Sequence, residues 1–406
     1  MPRSRLLHVS ALIVALAAAV VPLHALSADD LFNPNVLQEV HLFINARDLH
    51  ELHTRYLENT FYPADLHWGG LRVRNVGIRS RGLGSRNGTK LGLHVEFGRF
   101  VVGQELLGLE SVELDNLWQD PSMLRDFVAM AVFAHVGQPA PRESFARLYI
   151  NREYQGVYAI VETIDANQLR RTVAEPGGFL FEYRWLDRYE LTELPDDLDA
   201  LGRRFERRTR RSEPAAAAYS PIAAMIRAVN APDDERWRAA VETYVDVRQF
   251  LAHVSVEQFL SEHDGLTGYE GLNNFYLYRA PGSLRHQFLP WDRDYSFQDV
   301  NSSIVLRSER NQLFRRALSI PDLREYYLGA VERCAAAAAR DRWLEGVVTR
   351  AASLIADAAA EDRLKPYDDR SHIEAVEHLL NFARVRSAVV RAAVAGMRRR
   401  TGVDLR

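Results

Sequence analysis

The spacing of apolar residues changes once along this 406-residue chain, near residue 165, and that change limits the folds it can adopt. Before it, apolar and polar residues alternate in short runs, as in residues 35–45, 91–97 and 145–162. A period of two is typical of strands that bury one face. After it, apolar residues recur mainly at three- and four-residue spacings, which favour amphipathic helices. We therefore predict an α+β fold, with a β-rich N-terminal lobe and a mainly helical C-terminal lobe.

Local signals place several elements more closely. Residues 71–81 indicate a strand, a tight turn near Asn75 and a second strand. A helix is expected to begin with Asp120 as its N-cap and Pro121 at its first position. Residues 187–214 are dense in charge and lack apolar periodicity, so we expect a solvated or mobile insertion. The alternative for that stretch is a docking surface for an acidic partner.

The start of the chain is typical of a secretory signal peptide. Arg3 and Arg5 precede an apolar run at residues 11–23, and small residues follow at Ala25 and Ala28. The apolar run is short for a bilayer span, although a retained membrane anchor is the alternative. We predict a signal peptide at 1–28, an N-lobe at 29–165 and a C-lobe at 166–406. The mature protein would then be exported, to the periplasm or the extracellular space.

Composition excludes some partners and sites. A net charge of −3 predicts no general attraction to nucleic acid or to an anionic membrane. Cys334 is the single cysteine, so the chain has no intrachain disulfide and no cysteine-based metal site. Because Cys334 stands in an alanine-rich run, we expect a buried thiol that packs like alanine.

Oxygen-bearing side chains are concentrated in residues 262–297. Asp264 follows a predicted helix, Asn274 begins a predicted strand, and Asp292 and Asp294 follow the next strand. A hairpin between these groups could gather them into one cleft. Hard divalent cations prefer such ligands, and Mg²⁺ usually keeps waters and substrate phosphates as well. The segment therefore predicts a metal–nucleotide site.

A basic, glycine-rich loop at residues 79–90 could wrap phosphate with backbone N–H groups and cations. The alternative is an ordinary hairpin connection with a solvated basic tip. The loop is not a Walker A motif, because no helical pattern follows Lys90. Between the two lobes, near Glu162, a bound nucleotide would meet the backbone.

Five motifs in a fixed order resemble the CotH (spore-coat protein H) kinase family, which comprises atypical secreted protein kinases. The resemblance covers roughly residues 40–390. The matching segments are residues 76–82 with Lys90, 120–125, 148–165, Asp264 with 274–278, and Leu-Pro-Trp-Asp-Arg-Asp at 289–294. The resemblance implies a bilobal, divergent protein-kinase-like fold and ATP-dependent phosphoryl transfer with Mg²⁺ or Mn²⁺.

The resemblance also implies a role for each matched residue. The nucleotide would be contacted by Lys90 at its phosphates, by Arg81 in the same loop, and by Glu162 and Thr163 at an adenine hinge. Asp264 would be the catalytic aspartate that orients or deprotonates the acceptor hydroxyl. Asn274, Asp292 and Asp294 would hold the metal, with Asn273 as a rival to Asn274. Such a site performs phosphoryl transfer by positioning and charge neutralisation.

These assignments predict an exported kinase that transfers the γ-phosphoryl group of ATP to a hydroxyl of a protein or other envelope molecule. We expect no nucleic-acid partner and no stable membrane span after signal cleavage. Two alternatives stay open: a non-catalytic kinase-like assembly module, and nucleotidyl transfer from the same site. The first is favoured by the loop at residues 82–86, which reads Gly-Leu-Gly-Ser-Arg where the family commonly has Gly-Asn-Ser-Ser.

Overall fold

The computed structural model describes residues 25–195 and 197–403. The strands are β1 (Leu37–Ile44), β2 (Tyr62–Trp68), β3 (Leu71–Ser80), β4 (Leu93–Glu96), β5 (Ser111–Asp115), β6 (Glu143–Ile150), β7 (Glu153–Glu162), β8 (Phe179–Tyr183), β9 (Phe205–Arg207), β10 (Phe275–Arg279) and β11 (His286–Pro290). The helices are α1 (Ala28–Leu31), α2 (Ala46–Thr54), α3 (Arg125–His135), α4 (Ala166–Thr172), α5 (Leu198–Arg204), α6 (Ala215–Asn230), α7 (Asp234–Glu242), α8 (Val247–Leu260), α9 (Gln312–Ser319), α10 (Pro321–Ala339), α11 (Trp343–Glu361) and α12 (Asp369–Val403). The α+β class is confirmed.

The first seven strands close into a barrel in the order β1-β2-β3-β4-β5-β7-β6. Closure depends on β1 and β6, which pair in parallel with Leu42 opposite Ile150. Alternating apolar side chains fill the interior, and Leu42, Leu93 and Leu148 have no exposed surface. The alternation thus predicts the strands correctly. It does not predict the pairing of β1 with β6, because these parallel strands are far apart in the sequence and their pairing leaves no local pattern.

The turn expected near Asn75 is wrong. β3 runs unbroken through this residue, and its register with β2 shifts between Ala64 and Leu66. Asn75 has a φ of 53°, and its amide donates to the Asp65 carboxylate over 3.0 Å. A residue that tolerates the left-handed conformation serves a strand bulge as well as it serves a turn.

A second, four-stranded sheet in the order β11-β10-β8-β9 lies among the helices of the C-terminal part. The charge-dense stretch at residues 187–214 is part of this architecture, because it contains α5 and the edge strand β9. Arg204 is buried and donates to the Asp187 carboxylate over 2.7 Å. The expectation of a solvated or mobile insertion is therefore wrong for this region. The bilobal, kinase-like arrangement stays a prediction.

The helix expected from Asp120 begins five residues later, at Arg125. The Asp120 carboxylate accepts the amides of Leu124 and Arg125 over 2.7 and 2.8 Å. Asp120 therefore satisfies the first free amides of α3 from a preceding turn in which Met123 has a φ of 60°.

The predicted signal peptide falls mostly on residues 1–24, which lie outside the described residues. Within 25–195 and 197–403, no helix is both long enough and apolar enough to cross a membrane.

Candidate active site

Two loops of the C-terminal part lie side by side. Residues 261–274 follow α8, and residues 291–297 follow β11. The amide of Trp291 donates to the carbonyl of Asn274 over 3.2 Å. The β10–β11 hairpin therefore returns the chain so that the loop containing Asp292 meets the start of β10.

Glu262 connects the same two loops by hydrogen bonds. Its carboxylate accepts the amide of Asp264 over 2.7 Å and the hydroxyl of Ser296. The amide of His263 also donates to the carbonyl of Tyr295 over 3.2 Å. Burial raises the pKa of Glu262 to about 7.

Asp264 is held by two neighbouring amides. The side chains of Asn273 and Asn274 each donate to its Oδ2 atom over 3.0 Å. Burial raises the pKa of Asp264, and these two hydrogen bonds oppose that effect. The structure thus brings together Asp264 and both rival asparagines, with the carboxylate fixed in one orientation.

A fully buried ion pair underlies both loops. Arg293 lies 2.8 Å from Oε1 of Glu257, and Glu257 also accepts the amide of Leu266 over 2.9 Å. His253 completes the network with 3.0 Å contacts to Arg293 and Glu257. A side chain at Gly265 would come within 2.5 Å of Glu257, so this position beside Asp264 requires glycine. Arg293 follows Asp292 in the chain and Gly265 follows Asp264, so the network holds the two aspartates in a fixed relative position.

Asp292 and Asp294 are half-buried, and neither carboxylate accepts a hydrogen bond from any described residue. Burial raises the pKa of Asp292 to about 6; Arg81 opposes the shift, and the charges of Asp115 and Asp264 add to it. The pKa of Asp294 lies well above its usual value because of burial and the charge of Asp292. Carboxyls that repel one another in this way would be stabilised by a bound cation.

Two further carboxyls lie next to this pair. Asp126, on α3, accepts the amide of Arg293 over 2.8 Å, and burial together with the charge of Asp292 raises the pKa of Asp126 to about 8. Glu143, on β6, is buried, and its pKa lies well above the usual value because of burial, the charge of Asp126 and a hydrogen bond between the two carboxyls. Asp126 is therefore a half-buried carboxyl beside Asp292 and not a solvated helix charge. Periodicity could not reveal either residue, because both look like ordinary element ends.

The barrel contributes Arg81 to the site. Its guanidinium lies 2.7 Å from Asp115 and 3.1 Å from Glu113, and it stacks 5.9 Å from the centre of the Trp291 ring. The charge of Arg81 reaches Asp292 and lowers the pKa of that carboxyl. Arg81 is thus a basic side chain that the structure places beside the predicted metal ligands.

The other predicted nucleotide contacts lie elsewhere. Lys90 is buried, and its Nζ atom donates to Asp362 over 2.7 Å and to a carbonyl on β7 over 2.9 Å. Glu162 pairs with Arg142 over 2.6 Å, and Thr163 accepts the hydroxyl of Ser111 over 3.0 Å. None of the three hydrogen-bonds to the loops that carry Asp264 and Asp292.

The donor set fits a hard cation only if solvent or substrate completes it. In the part of the chain that the structure covers, no group of three or more His, Cys, Asp or Glu side chains is arranged to hold a metal ion. Asp292, Asp294 and Asn274 would supply two carboxylates and one amide oxygen. Mg²⁺ commonly binds through one or two carboxylates together with waters and phosphates, so this set suits a metal–nucleotide complex.

Comparison with known proteins gives concordant matches. The family model described as CotH kinase protein matches residues 78–390, which is more than half of the chain and includes both loops. Inner spore coat protein H of Bacillus subtilis (strain 168) is 24% identical over 312 residues, covering 74% of this chain and 82% of that protein. The matched range also contains Arg81, Asp126 and Glu143.

Proposed function

Because the chain belongs to the CotH kinase protein family, we propose that it is an exported, ATP-dependent kinase that phosphorylates a hydroxyl of a protein or other envelope molecule. One observation carries the proposal. The unpartnered carboxylates of Asp292 and Asp294 lie on a loop bonded to the loop that presents Asp264 and Asn274. This arrangement suits a metal-bound phosphate on one side and an acceptor hydroxyl on the other.

In this proposal Asp292, Asp294 and Asn274 hold Mg²⁺ or Mn²⁺. The metal would neutralise the charge of the ATP phosphates and align the γ-phosphoryl group for transfer. The raised pKa values of the two aspartates support this role, because mutual repulsion makes a cation favourable there. Asp264, oriented by Asn273 and Asn274, accepts the hydrogen bond of the acceptor hydroxyl and positions its oxygen for attack.

Arg81 is the phosphate contact that the geometry favours. It stands beside Asp292, whereas Lys90 would have to leave its buried pair with Asp362 to reach a phosphate. A lysine contact therefore requires a rearrangement between the barrel and the C-terminal helices. The adenine hinge at Glu162 and Thr163 stays a prediction from the family resemblance.

Export rests on two arguments. The first 28 residues have the pattern of a signal peptide, and the Bacillus subtilis relative is named as a spore coat protein. A protein of the cell envelope that used ATP would need a supply of nucleotide outside the cytoplasm or during assembly. Fractionation of cells with an antibody to residues of the C-terminal helices tests the location directly.

Thermal melting with ATP and Mg²⁺ tests the nucleotide site. A ligand bound only by the native state raises Tm, by an amount that follows its concentration relative to Kd. We expect a rise for the wild type, a smaller rise without Mg²⁺, and none for Asp292→Ala. Asp299→Asn, an exposed aspartate on the following turn, is the matched control and should behave as the wild type. An equal rise in Asp292→Ala would refute the metal assignment.

The altered glycine loop and the buried Lys90 favour a second candidate, a non-catalytic module that binds nucleotide without transfer. Radiolabel from the γ-phosphate tells the two apart, because only a kinase would move it to an acceptor. Label from the α-phosphate would instead indicate nucleotidyl transfer. Loss of γ-label transfer in Asp264→Asn, with ATP binding retained, would support the kinase.

A further inference from the structure

A cavity of about 280 Å³ lies between the end of α10, the start of α11 and the middle of α12. It shares no residue with the proposed active site. Four alanines line its apolar walls, and its polar lining comes from three arginines, Glu345 and Ser387. Sites for drug-sized ligands commonly measure about 300–1,000 Å³, so this cavity suits a smaller molecule.

The local backbone creates the space. α10 ends at Ala339, and Asp341 and Arg342 then have φ values of 50° and 54°. Two consecutive left-handed residues turn the chain sharply before α11 begins. Because the facing positions on α10 and α12 are alanines, no large side chain fills the resulting gap.

The polar lining carries an excess of positive charge. Glu345 accepts hydrogen bonds from Arg342 over 2.6 Å and from Arg384 over 2.8 Å, and these bonds lower the pKa of Glu345 to about 2. Arg391 donates through Nε to the carbonyl of Ser387 over 3.2 Å. The lining therefore holds three guanidinium groups and one carboxylate. The remaining N–H groups of Arg384 and Arg391 are left for another acceptor.

Ser387 provides an independent indication of a ligand. The residue is 3% exposed, and its hydroxyl has no hydrogen-bond partner among the described residues. A buried hydroxyl normally finds a partner, since leaving it unsatisfied costs free energy. An oxygen acceptor in the cavity would satisfy this hydroxyl and the arginines together.

We propose that this cavity binds a small oxyanion, a phosphate or carboxylate group on a compact body. Arg391 and Arg384 would donate to its oxygens, Ser387 would donate from the buried wall, and the alanines would contact its apolar part. Arg342 and Glu345 would hold Arg384 in place. Charge-assisted hydrogen bonds from guanidinium groups suit either anion.

Calorimetric titration with inorganic phosphate, in the presence of a chelator and without nucleotide, tests the site in the full chain. Arg391→Gln and Ser387→Ala should each weaken phosphate binding, by about tenfold for the arginine. Ala388→Glu, at the exposed edge of the cavity, would place a carboxylate among the arginines and should abolish binding without lowering Tm. Competition by acetate would indicate a carboxylate ligand, and its absence a phosphate ligand.

Two control variants make the result decisive. Arg399→Gln removes an exposed arginine farther along α12 and should leave phosphate binding unchanged. Arg81→Gln alters the proposed nucleotide site and should also leave it unchanged. The proposal is overturned if the wild type binds neither anion, if Arg391→Gln and Ala388→Glu bind phosphate as the wild type does, or if Arg81→Gln alone abolishes binding. That last outcome would assign the phosphate to the active site.

Discussion

The Nζ atom of Lys90 lies 2.7 Å from Oδ2 of Asp362, and neither side chain is exposed to solvent. The same Oδ2 atom accepts the amide of Val157, on barrel strand β7, over 3.0 Å. A side chain at Gly156 would overlap the Asp362 carboxylate, so only glycine permits this close approach. The connection between α11 and α12 is therefore fastened to the barrel wall by a buried charge pair.

Removal of one partner of this ion pair should destabilise the folded protein. Lys90→Met leaves the Asp362 carboxylate buried without its cation. Asp362→Leu leaves the Lys90 ammonium group buried without its anion. We expect each single variant to lower the free energy of unfolding by about 3–5 kcal/mol. Replacement of both partners removes both buried charges, so Lys90→Met with Asp362→Leu should recover part of that loss, while the amide of Val157 stays without its acceptor. Urea denaturation of the three variants measures the effect.

Two additive losses in the double variant would contradict the ion-pair account. ATP binding by the double variant separates stability from function. If it folds and still raises its Tm with ATP and Mg²⁺, Lys90 is not required for phosphate contact. Lost binding in that variant, with binding retained in Arg81→Gln, would favour Lys90 over Arg81.

Glu257 should position the active site without touching substrate. Glu257→Gln leaves the buried Arg293 without its counter-ion, and Arg293 stands between the two proposed metal ligands in the chain. We expect a loss of about 3–5 kcal/mol in stability, together with a 10- to 100-fold weaker affinity for Mg²⁺–ATP. Thermal melting and nucleotide titration at a temperature well below Tm measure the two effects separately.

The control is Glu242→Gln, which removes an exposed i,i+4 pair with Arg238 on α7. Exposed helical pairs contribute about 0.3–0.5 kcal/mol, so this variant should change neither quantity appreciably. Unchanged affinity in Glu257→Gln, despite lower stability, would show that the network supports the fold alone.

These contacts mark the limit of what the sequence could predict. Residues 262–297 form one local unit, and hydrogen bonding there follows from a helix end and a hairpin that periodicity and turn residues indicate. The pairing of Lys90 with Asp362 joins residues 272 positions apart, and no spacing rule reaches that far. The sequence does not predict that Asp126 and Glu143 lie beside Asp292 either, because only the packing of α3 against the barrel brings these distant residues together.

The two asparagines should differ in function although both orient Asp264. The carbonyl of Asn274 accepts the amide of Trp291, which places this residue beside Asp292, and Asn273 has no such bond. We expect Asn274→Gly to reduce phosphoryl transfer by about 100-fold and to raise the Mg²⁺ concentration for half-maximal activity. Glycine is chosen because Asn274 has a φ of 56°.

Asn273→Ala removes one hydrogen bond to Asp264 and should reduce transfer by less than about tenfold, with no change in the Mg²⁺ requirement. Transfer rates measured across a Mg²⁺ series decide between the residues. The assignment of Asn274 fails if Asn273→Ala, and not Asn274→Gly, changes the metal dependence.

The buried carboxyls predict an unusual pH dependence of stability. The pKa of Asp126 is about 8 in the folded protein against an ordinary value of 3.8, and that of Glu262 is about 7 against 4.5. Between pH 4 and 8 the folded chain therefore holds more protons at these groups than the unfolded chain does. By linkage, the free energy of unfolding contributed by these groups falls as the pH rises through this window.

Asp126→Asn isolates the effect, because an amide oxygen still accepts the Arg293 amide but does not ionise. In a chelator, we expect the wild type to lose more stability than Asp126→Asn between pH 5 and pH 8, by more than about 1 kcal/mol, since one pKa unit corresponds to 1.36 kcal/mol. Urea denaturation at the two pH values measures the difference. Asp299→Asn should follow the wild type, and equal losses in wild type and Asp126→Asn would contradict a raised pKa at Asp126. Mg²⁺ with ATP should reduce the loss at pH 8, because a cation beside Asp292 favours the ionised carboxyls.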